Sequence, residues 1–362
     1  MSRDRQKKTL ASPNGATRSR LSVVLFNLGG PDSLKSVRPF LQNLFSDPAI
    51  IRLPWILRLP LAWLIATLRA KSAQANYALM GGASPLLGET ALQANALKER
   101  LSQLMPDRDI TVDIAMRYWR PMTRKVANDI SRRNPDNIVL LPLYPQFSTT
   151  TTGSSFEEWR HRYRGNARVK SICCWYDEPG FVRSHANSIR KVWEEAGNPD
   201  VRLLFSAHGL PERIIAAGDP YQIQIERTCS LVVESLGGDW DWEVCYQSRV
   251  GPLRWLGPST PEAIARAGAD GVGVLIDPIA FVSDHIETVV EIDREYAEIA
   301  RDVGVTPFLR APVVGADPIF INGLADLVMA SLEDEGEGHV SSGRLCPVSA
   351  EGCPRRRAGA VR

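Results

Sequence analysis

The sequence predicts an α/β protein with two similar Rossmann-like lobes, each a mainly parallel sheet flanked by helices, and a cleft between the lobes. Strand-like runs alternate with longer helical patterns, which is typical of βαβ units. Residues 24–31 resemble residues 204–211 when Pro31 and Pro211 are aligned, so both halves begin with a similar strand and turn. Chance similarity between two hydrophobic strands is the alternative explanation. His208 follows the second of these strands, at the edge where open α/β sheets bind ligands.

The individual elements follow from apolar runs bounded by glycine and proline, and from longer stretches with helical periodicity. Strands are predicted at residues 23–27, 111–116, 137–143, 169–174, 201–206, 242–246 and 271–276. Helices are predicted at residues 33–44, 86–104, 121–132, 179–196, 220–236, 260–266, 284–303 and 318–332. The second similarity, between residues 139–145 and 274–280, falls on corresponding strands of the two halves.

These elements divide the chain into two lobes with a tail at each end. The predicted units are a disordered basic N-terminal tail (1–20), a first lobe (21–175), a second lobe (176–332) and a flexible C-terminal tail (333–362). The tails have few apolar residues and would bury too little surface to become ordered.

Composition excludes several classes of protein. A formal charge of +2 over 362 residues gives no electrostatic case for binding nucleic acid. The basic excess is confined to the chain ends, at Arg3, Arg5, Lys7, Lys8, Arg18, Arg20 and Arg355–357, and is interpreted as solvated tails. Six cysteines do not suggest a disulfide framework, and the basic start is not followed by the apolar stretch of a signal peptide. A cytoplasmic location is therefore expected.

The most apolar segment, residues 53–70, holds Trp55 and Trp63 and is interrupted by Pro54, Arg58 and Pro60. It is too short to span a bilayer, which needs about 20 consecutive apolar residues. A buried core helix is one interpretation. Paired tryptophans with basic flanking residues instead favour a segment that lies at a membrane surface.

Two groups of side chains have the character of a reactive site. His208 lies on the tight turn that ends its strand, and Asp284, His285 and Glu287 occur together after the strand predicted at 271–276. Imidazole and carboxylate groups at strand ends suit metal handling or proton transfer. A helix N-terminus capped by Asp284 would also explain the acidic residues, and it is compatible with a catalytic Glu287.

Several motifs together give the chain a resemblance to the ferrochelatases, which insert ferrous iron into a porphyrin. The motifs cover roughly residues 21 to 332 in the order found in that family. They are Asn27-Leu28-Gly29-Gly30-Pro31-Asp32, Gly81-Gly82-Ala83-Ser84-Pro85, Arg117-Tyr118, Tyr144-Pro145-Gln146-Phe147-Ser148, Ser206-Ala207-His208-Gly209-Leu210-Pro211, Gln247-Ser248-Arg249-Val250-Gly251-Pro252, Trp255-Leu256-Gly257-Pro258 and Ser283-Asp284-His285-Ile286-Glu287.

The resemblance implies a role for each candidate residue. His208 and Glu287 are expected to handle protons or iron, supported by His285 and Asp284, and both metal binding and proton transfer remain open for the first two. Glu291, Asp293 and Glu295 are expected to continue an acidic track along the helix, although a solvated face would explain them equally well. The porphyrin is expected to contact Leu28, Arg69, Tyr77, Ser84, Arg117, Tyr118, Phe281 and Trp255. Residues 53–70 correspond to an apolar lip over the porphyrin, which membrane-associated relatives place against the bilayer.

Iron and protoporphyrin are the expected partners, and no cofactor is expected to be required. The chain lacks the glycine-lysine motif of ATP-binding loops, which fits an ATP-independent chelatase. Some ferrochelatases hold a [2Fe–2S] cluster with one upstream and three C-terminal cysteines. Here only Cys346 and Cys353 lie in the tail, and Thr149 stands where some relatives have the upstream ligand, so a cluster is the disfavoured alternative.

Three other functions remain open from the sequence. One is a ferrochelatase that uses coproporphyrin III, although the apolar lip favours protoporphyrin. Another is a non-catalytic two-lobed protein that binds a metal or a tetrapyrrole. The third is a cobalt or nickel chelatase for another tetrapyrrole, which would need the same histidine and carboxylate groups.

Overall fold

Two parallel sheets form the framework of the computed structural model, which describes residues 18–249, 251, 253–334, 339–341, 346 and 350–354. The strands are β1 (Ser19–Asn27), β2 (Arg108–Met116), β3 (Asn137–Pro142), β4 (Arg168–Cys174), β5 (Val201–His208), β6 (Trp242–Gln247), β7 (Gly273–Asp277), β8 (Phe308–Arg310) and β9 (His339–Ser341). The first sheet has the order β2-β1-β3-β4-β9 and the second β6-β5-β7-β8. Because β1 and β5 hold the same position in the same strand order, the two-lobed prediction is confirmed.

Helices cover the sheets and connect parallel neighbours. They are α1 (Val37–Phe45), α2 (Trp55–Ala78), α3 (Leu86–Leu104), α4 (Thr123–Arg133), α5 (Ser154–Arg162), α6 (Pro179–Glu195), α7 (Glu212–Ala216), α8 (Tyr221–Leu236), α9 (Thr260–Asp270), α10 (Ala297–Asp302) and α11 (Pro318–Glu333). A π-helix, Glu287–Tyr296, directly precedes α10. All seven predicted strands and all eight predicted helical segments are present. The elements β8, β9, α5 and α7 were missed, since short elements carry little periodic signal. Helix α2 was also not among the predicted helices, because prolines interrupt its apolar pattern and its segment was predicted only as an apolar stretch.

The boundary predicted between the lobes is wrong for the last helix. Helix α11 was assigned to the second lobe (176–332), but Phe320, Leu324 and Val328 are buried with Leu21 and Val139 in the core of the first sheet. The apolar face of α11 therefore packs on the first lobe, whose predicted end lies about 150 residues earlier in the sequence. Burying each such side chain contributes about 1.5–3 kcal/mol.

The predicted tails also need correction where the structure describes them. Ser19 and Arg20 already belong to β1 and pair with Arg108 and Asp109 of β2. At the other end, β9 pairs with β4. The other basic residues named for the tails, at positions 3–8 and 355–357, lie outside the described residues.

The described part of the C-terminal tail makes further contacts with the folded lobes. The amide of Gly352 donates to the carbonyl oxygen of Gly218 at 2.8 Å. Cys346 and Cys353 are buried. A flexible 333–362 tail is therefore contradicted for these residues, because backbone pairing and thiol burial fix them to both lobes.

The apolar segment 53–70 forms most of the first three-quarters of α2, apart from residues 53 and 54, which precede the helix, and it is largely exposed. Trp55, Ile56 and Leu68 are 65%, 63% and 72% exposed, while only Ala62, Ala66 and Tyr77 of this helix are buried. The core-helix interpretation is therefore wrong. Pro60 lies inside the helix, in its second turn, where it removes one amide donor without ending the helix. Among the described residues, no helix is long and apolar enough to cross a membrane.

Candidate active site

The structure brings His208 and Glu287 together, as predicted. His208 ends β5, and its Nδ1 lies 3.1 Å from Oε1 of Glu287 at the start of the π-helix. The next residue must be small, because a Cβ atom at Gly209 would lie 2.9 Å from the carbonyl oxygen of Gln247. This close approach of β5 and β6 sets the position of the His208 ring.

A second imidazole, that of His285, lies on the other side of the Glu287 carboxylate, and His208, Glu287 and His285 together are called the Glu287 array. The other oxygen of Glu287, Oε2, lies 3.2 Å from Nε2 of His285. Burial by itself would raise the pKa of the Glu287 carboxyl, but the two imidazoles outweigh burial and hold its pKa below the ordinary value. Burial by itself would lower the pKa of His208, but the Glu287 carboxylate raises it above the ordinary 6.5. The pair therefore favours a charged carboxylate beside an imidazole ready to hold a proton.

The π-helix carries a second carboxylate from the predicted acidic track. Glu291 accepts hydrogen bonds from Ser248 Oγ at 2.8 Å, Gln247 Nε2 at 3.3 Å and Tyr296 Oη at 3.3 Å. Burial and the nearby Glu287 charge raise the pKa of Glu291 to about 7. A π-helix has wider turns than an α-helix, so residues four apart, such as Glu287 and Glu291, lie almost in line along the helix. Short π-helices are often found at functional sites. Glu291 is thus placed to exchange a proton near neutral pH.

The remaining acidic residues do not all follow this line. Glu295 is exposed and contributes repulsion to Glu291, so it lies along the same side of the helix. Asp284 and Asp293 instead pair with Arg310 of β8, at 3.1 Å and 2.6 Å. Arg310 belongs to a strand that the sequence did not reveal, and the roles expected for Asp284 and Asp293 stay predictions.

The first lobe supplies an apolar wall opposite these groups. Leu28, Tyr77 and Tyr118 pack in one cluster with Ile286, the residue before Glu287. Tyr77 is close enough to Glu287 for the carboxylate to raise the pKa of its phenol, after the larger effect of burial. Phe281 packs on His285 with ring centroids 4.4 Å apart. These contacts place predicted wall residues from both lobes around the Glu287 array.

Arg117 has a buried partner that the sequence did not indicate. Its guanidinium lies 2.7 Å from Asp47 Oδ2, and Tyr118 Oη donates to the same oxygen at 2.7 Å. Ser154 bonds to both Arg117 and Asp47. Asp47 lies between α1 and α2 rather than at a strand end, so no pattern marked it. The network fixes the loop after β2 to the segment between α1 and α2 and to the start of α5.

The other predicted contact residues occupy varied positions. Arg69 is exposed on α2. Ser84 packs against the turn after β1 so closely that a Cβ at Gly30 would lie 2.4 Å from it. Trp255 pairs with Pro211 beside the His208 turn, and its buried Nε1 has no hydrogen-bond partner among the described residues.

Sequence reasoning missed Gln247 and Ser248 as site residues, although both belong to a quoted motif. Gln247 Nε2 also donates to the Glu287 carbonyl oxygen at 2.9 Å, so it supports both carboxylates of the array. Ser248 has a φ of 63°, in the left-handed region that residues other than glycine seldom adopt. Such strain is a signal of function that only the structure displays.

Comparison with known proteins gives consistent matches over nearly the whole chain. The sequence model of the family described as ferrochelatase matches residues 20–332. A ferrochelatase of Phenylobacterium zucineum is 52% identical, covering 94% of this chain and 99% of its own. A ferrochelatase of Caulobacter vibrioides is 54% identical, with coverage of 93% and 98%. The solved structure titled SirB from Bacillus subtilis with Fe3+ shares the fold, with a TM-score of 0.50, 13% identity and coverage of 87% and 96%.

The Arg117–Asp47 pair gives a test that separates structural and ligand-binding roles. Replacing Arg117 with leucine leaves the Asp47 carboxylate, whose side chain is 2% exposed, without its cation. We expect a loss of about 3–5 kcal/mol in the free energy of unfolding, measured by urea denaturation. The exposed Arg69→Leu control should change it by less than about 0.5 kcal/mol. Unchanged stability with weakened porphyrin binding in Arg117→Leu would contradict the structural role.

Proposed function

This chain belongs to the ferrochelatase family, and we propose that it inserts Fe²⁺ into protoporphyrin to form protohaem. The observation that carries the proposal is Glu287 held between His208 and His285, facing an apolar wall from the other lobe. A porphyrin is flat and largely apolar, and its two inner N–H protons must leave before iron can bind. The site therefore needs apolar walls and a proton acceptor together.

Within this proposal, His208 accepts protons from the inner nitrogens of the porphyrin. Glu287 stabilises the resulting imidazolium, and its negative charge also attracts the incoming Fe²⁺. Glu291, with a pKa near 7, passes protons along the π-helix towards exposed Glu295. Iron is a substrate in this reaction, and no step requires a resident cofactor or ATP.

The choice of porphyrin follows from the relatives and the lip. Identity of about 50% to named ferrochelatases disfavours the non-catalytic alternative. The coproporphyrin alternative is also disfavoured, since an exposed apolar lip suits a porphyrin with fewer rim carboxylates. Chelation of cobalt or nickel for another tetrapyrrole is disfavoured on the same ground, since the relatives at about 50% identity are named ferrochelatases.

Loss of the His208 imidazole should abolish turnover but not binding. We expect His208→Ala to reduce the rate of haem formation by about 10²–10⁴-fold, measured anaerobically by porphyrin absorbance, because a positioned general base is lost. The control His161→Ala removes a side chain that is 69% exposed on α5 and should leave the rate unchanged. A rate above about a tenth of wild type would exclude His208 as the general base.

The pH dependence should report the charge on Glu287. Proton acceptance needs neutral His208, so kcat/KM should fall as the pH drops through its raised pKa. Glu287→Gln removes the charge that raises this pKa, so the acid limb should move about 1 pH unit or more towards lower pH. Glu298→Gln, an exposed substitution on α10, is the control. An acid limb that stays in place in Glu287→Gln would contradict the coupling.

The lip is proposed to make peripheral contact with a membrane surface while the enzyme works in the cytoplasm. We expect a Trp55→Ser and Trp63→Ser double variant to keep the wild-type Tm but to sediment less with anionic vesicles, since both side chains are at least half exposed. Trp175→Ser, at a fully buried position, should cost about 3–5 kcal/mol. A large drop in Tm for the lip variant, or unchanged vesicle binding, would contradict the proposal.

A further inference from the structure

One guanidinium holds the segment that carries Glu287 and Glu291 at both of its ends. Arg310 Nη1 lies 3.1 Å from Oδ1 of Asp284, which precedes Glu287 in the chain. Arg310 Nε lies 2.6 Å from Oδ1 of Asp293, which follows Glu291. Both glutamates therefore lie between the two anchors. Rotation or sliding of the π-helix would break at least one of these ion pairs.

Arg310 is itself fixed by the second sheet. It ends β8, where it pairs with Ile276 of β7, and the next amide, that of Ala311, donates to the carbonyl oxygen of Ile276 at 2.9 Å. Strand β7 pairs in turn with β5, the strand that ends at His208. The guanidinium therefore ties the π-helix to the same sheet that positions the His208 imidazole.

A chain of hydrogen bonds extends this anchor to the backbone on both sides of Glu287. Oδ1 of Asp284, the atom that contacts Arg310, also accepts a hydrogen bond from Thr288 Oγ1 at 2.8 Å. Thr288 Oγ1 accepts in turn from the His285 amide at 3.0 Å, and Thr288 is fully buried. Since His285 and Thr288 flank Glu287, these contacts set the direction in which its side chain leaves the backbone.

The two aspartates need a cation with two separate donors. Burial raises the pKa of Asp293, Arg310 opposes this rise, and the Asp284 charge adds to it, so the two carboxylates repel each other. Arginine presents Nη1 and Nε as different donors in one planar group, and each meets a different aspartate here. A lysine ammonium is a single point of charge on a flexible stem and does not reproduce this geometry.

We propose that Arg310 is a positioning residue for the reaction at the Glu287 array. By holding both ends of the segment, it keeps Glu287 in contact with His208 and keeps Glu291 in line behind it. Arg310 acts through its two aspartates, so its effect on turnover rests on the proposed function. Its effect on the contact between His208 and Glu287 does not, because that contact forms without porphyrin or iron.

The chain offers a matched control for the loss of this arrangement. Arg202, at the start of β5, also lies between two aspartates, with Nε 2.8 Å from Asp241 and Nη1 2.9 Å from Asp270. Its side chain is 16% exposed, against 19% for Arg310. Because Arg202 and His208 lie at opposite ends of β5, Arg202→Leu removes a similar set of ion pairs from the same sheet at a distance from the Glu287 array.

The first measurement is steady-state haem formation by the full-length variants. Arg310→Leu should lower kcat by about 10²-fold with little change in the porphyrin KM, because a displacement of about 1 Å at a reacting group costs this much. Arg310→Lys keeps the charge, and so the fold, but not both contacts, and should lower kcat by about tenfold. Arg202→Leu should keep the wild-type kcat. Wild-type kcat in either Arg310 variant, or an equal loss in Arg202→Leu, would overturn the proposal.

The second measurement, the titration of His208 in protein labelled with ¹⁵N-histidine, needs no substrate. Removing the Arg310 charge by itself would raise the pKa of His208, because a nearby cation is lost. Losing the Glu287 contact would lower this pKa instead, since the carboxylate is what raises it. We expect a lower pKa of His208 in Arg310→Leu and the wild-type value in Arg202→Leu. An upward shift or no shift in Arg310→Leu would overturn the positioning role. A downward shift in a protein whose wild type forms no haem would support that role and contradict only the proposed function.

Discussion

The site depends on one interaction, the contact of the Glu287 carboxylate with His208 and His285. Opposite charges sharing a partly buried position outweigh the cost of desolvation, so both groups favour their charged forms. The surrounding backbone serves this contact. Gly209 allows β5 and β6 to converge, and Gln247 ties β6 to the Glu287 carbonyl oxygen. The distance between His208 and Glu287 is therefore set by the pairing of β5 with β6 and by the π-helix that begins at Glu287.

The two lobes share a strand order but differ in their loops, and they therefore contribute different groups to the site. The second lobe provides titratable groups, and the first provides an apolar wall with Leu28 and Tyr77. The buried Asp47–Arg117 pair, together with the hydrogen bond from Tyr118 to Asp47, holds the loop after β2 to the segment between α1 and α2.

The sequence allowed the strands, the two lobes and the meeting of His208 with Glu287 to be predicted, because strand periodicity places residues at sheet edges. It did not reveal contacts formed between distant segments. Arg310 of the short strand β8 redirects Asp284 and Asp293, and helix α11 returns to the first lobe. The pairing of β9 with the edge of β4 was also not predicted, because β9 has only three residues. The local pattern of apolar and polar residues carries no information on contacts between segments that are distant in the sequence.

The Glu287 charge outweighs burial at His208, and the titration of this imidazole tests that balance most directly. In wild-type protein labelled with ¹⁵N-histidine, His208 can be assigned by comparison with His208→Ala and followed by NMR across the neutral range. It should titrate above its ordinary value of 6.5. An imidazole that stays neutral down to lower pH, as burial alone would produce, would contradict the account of the site.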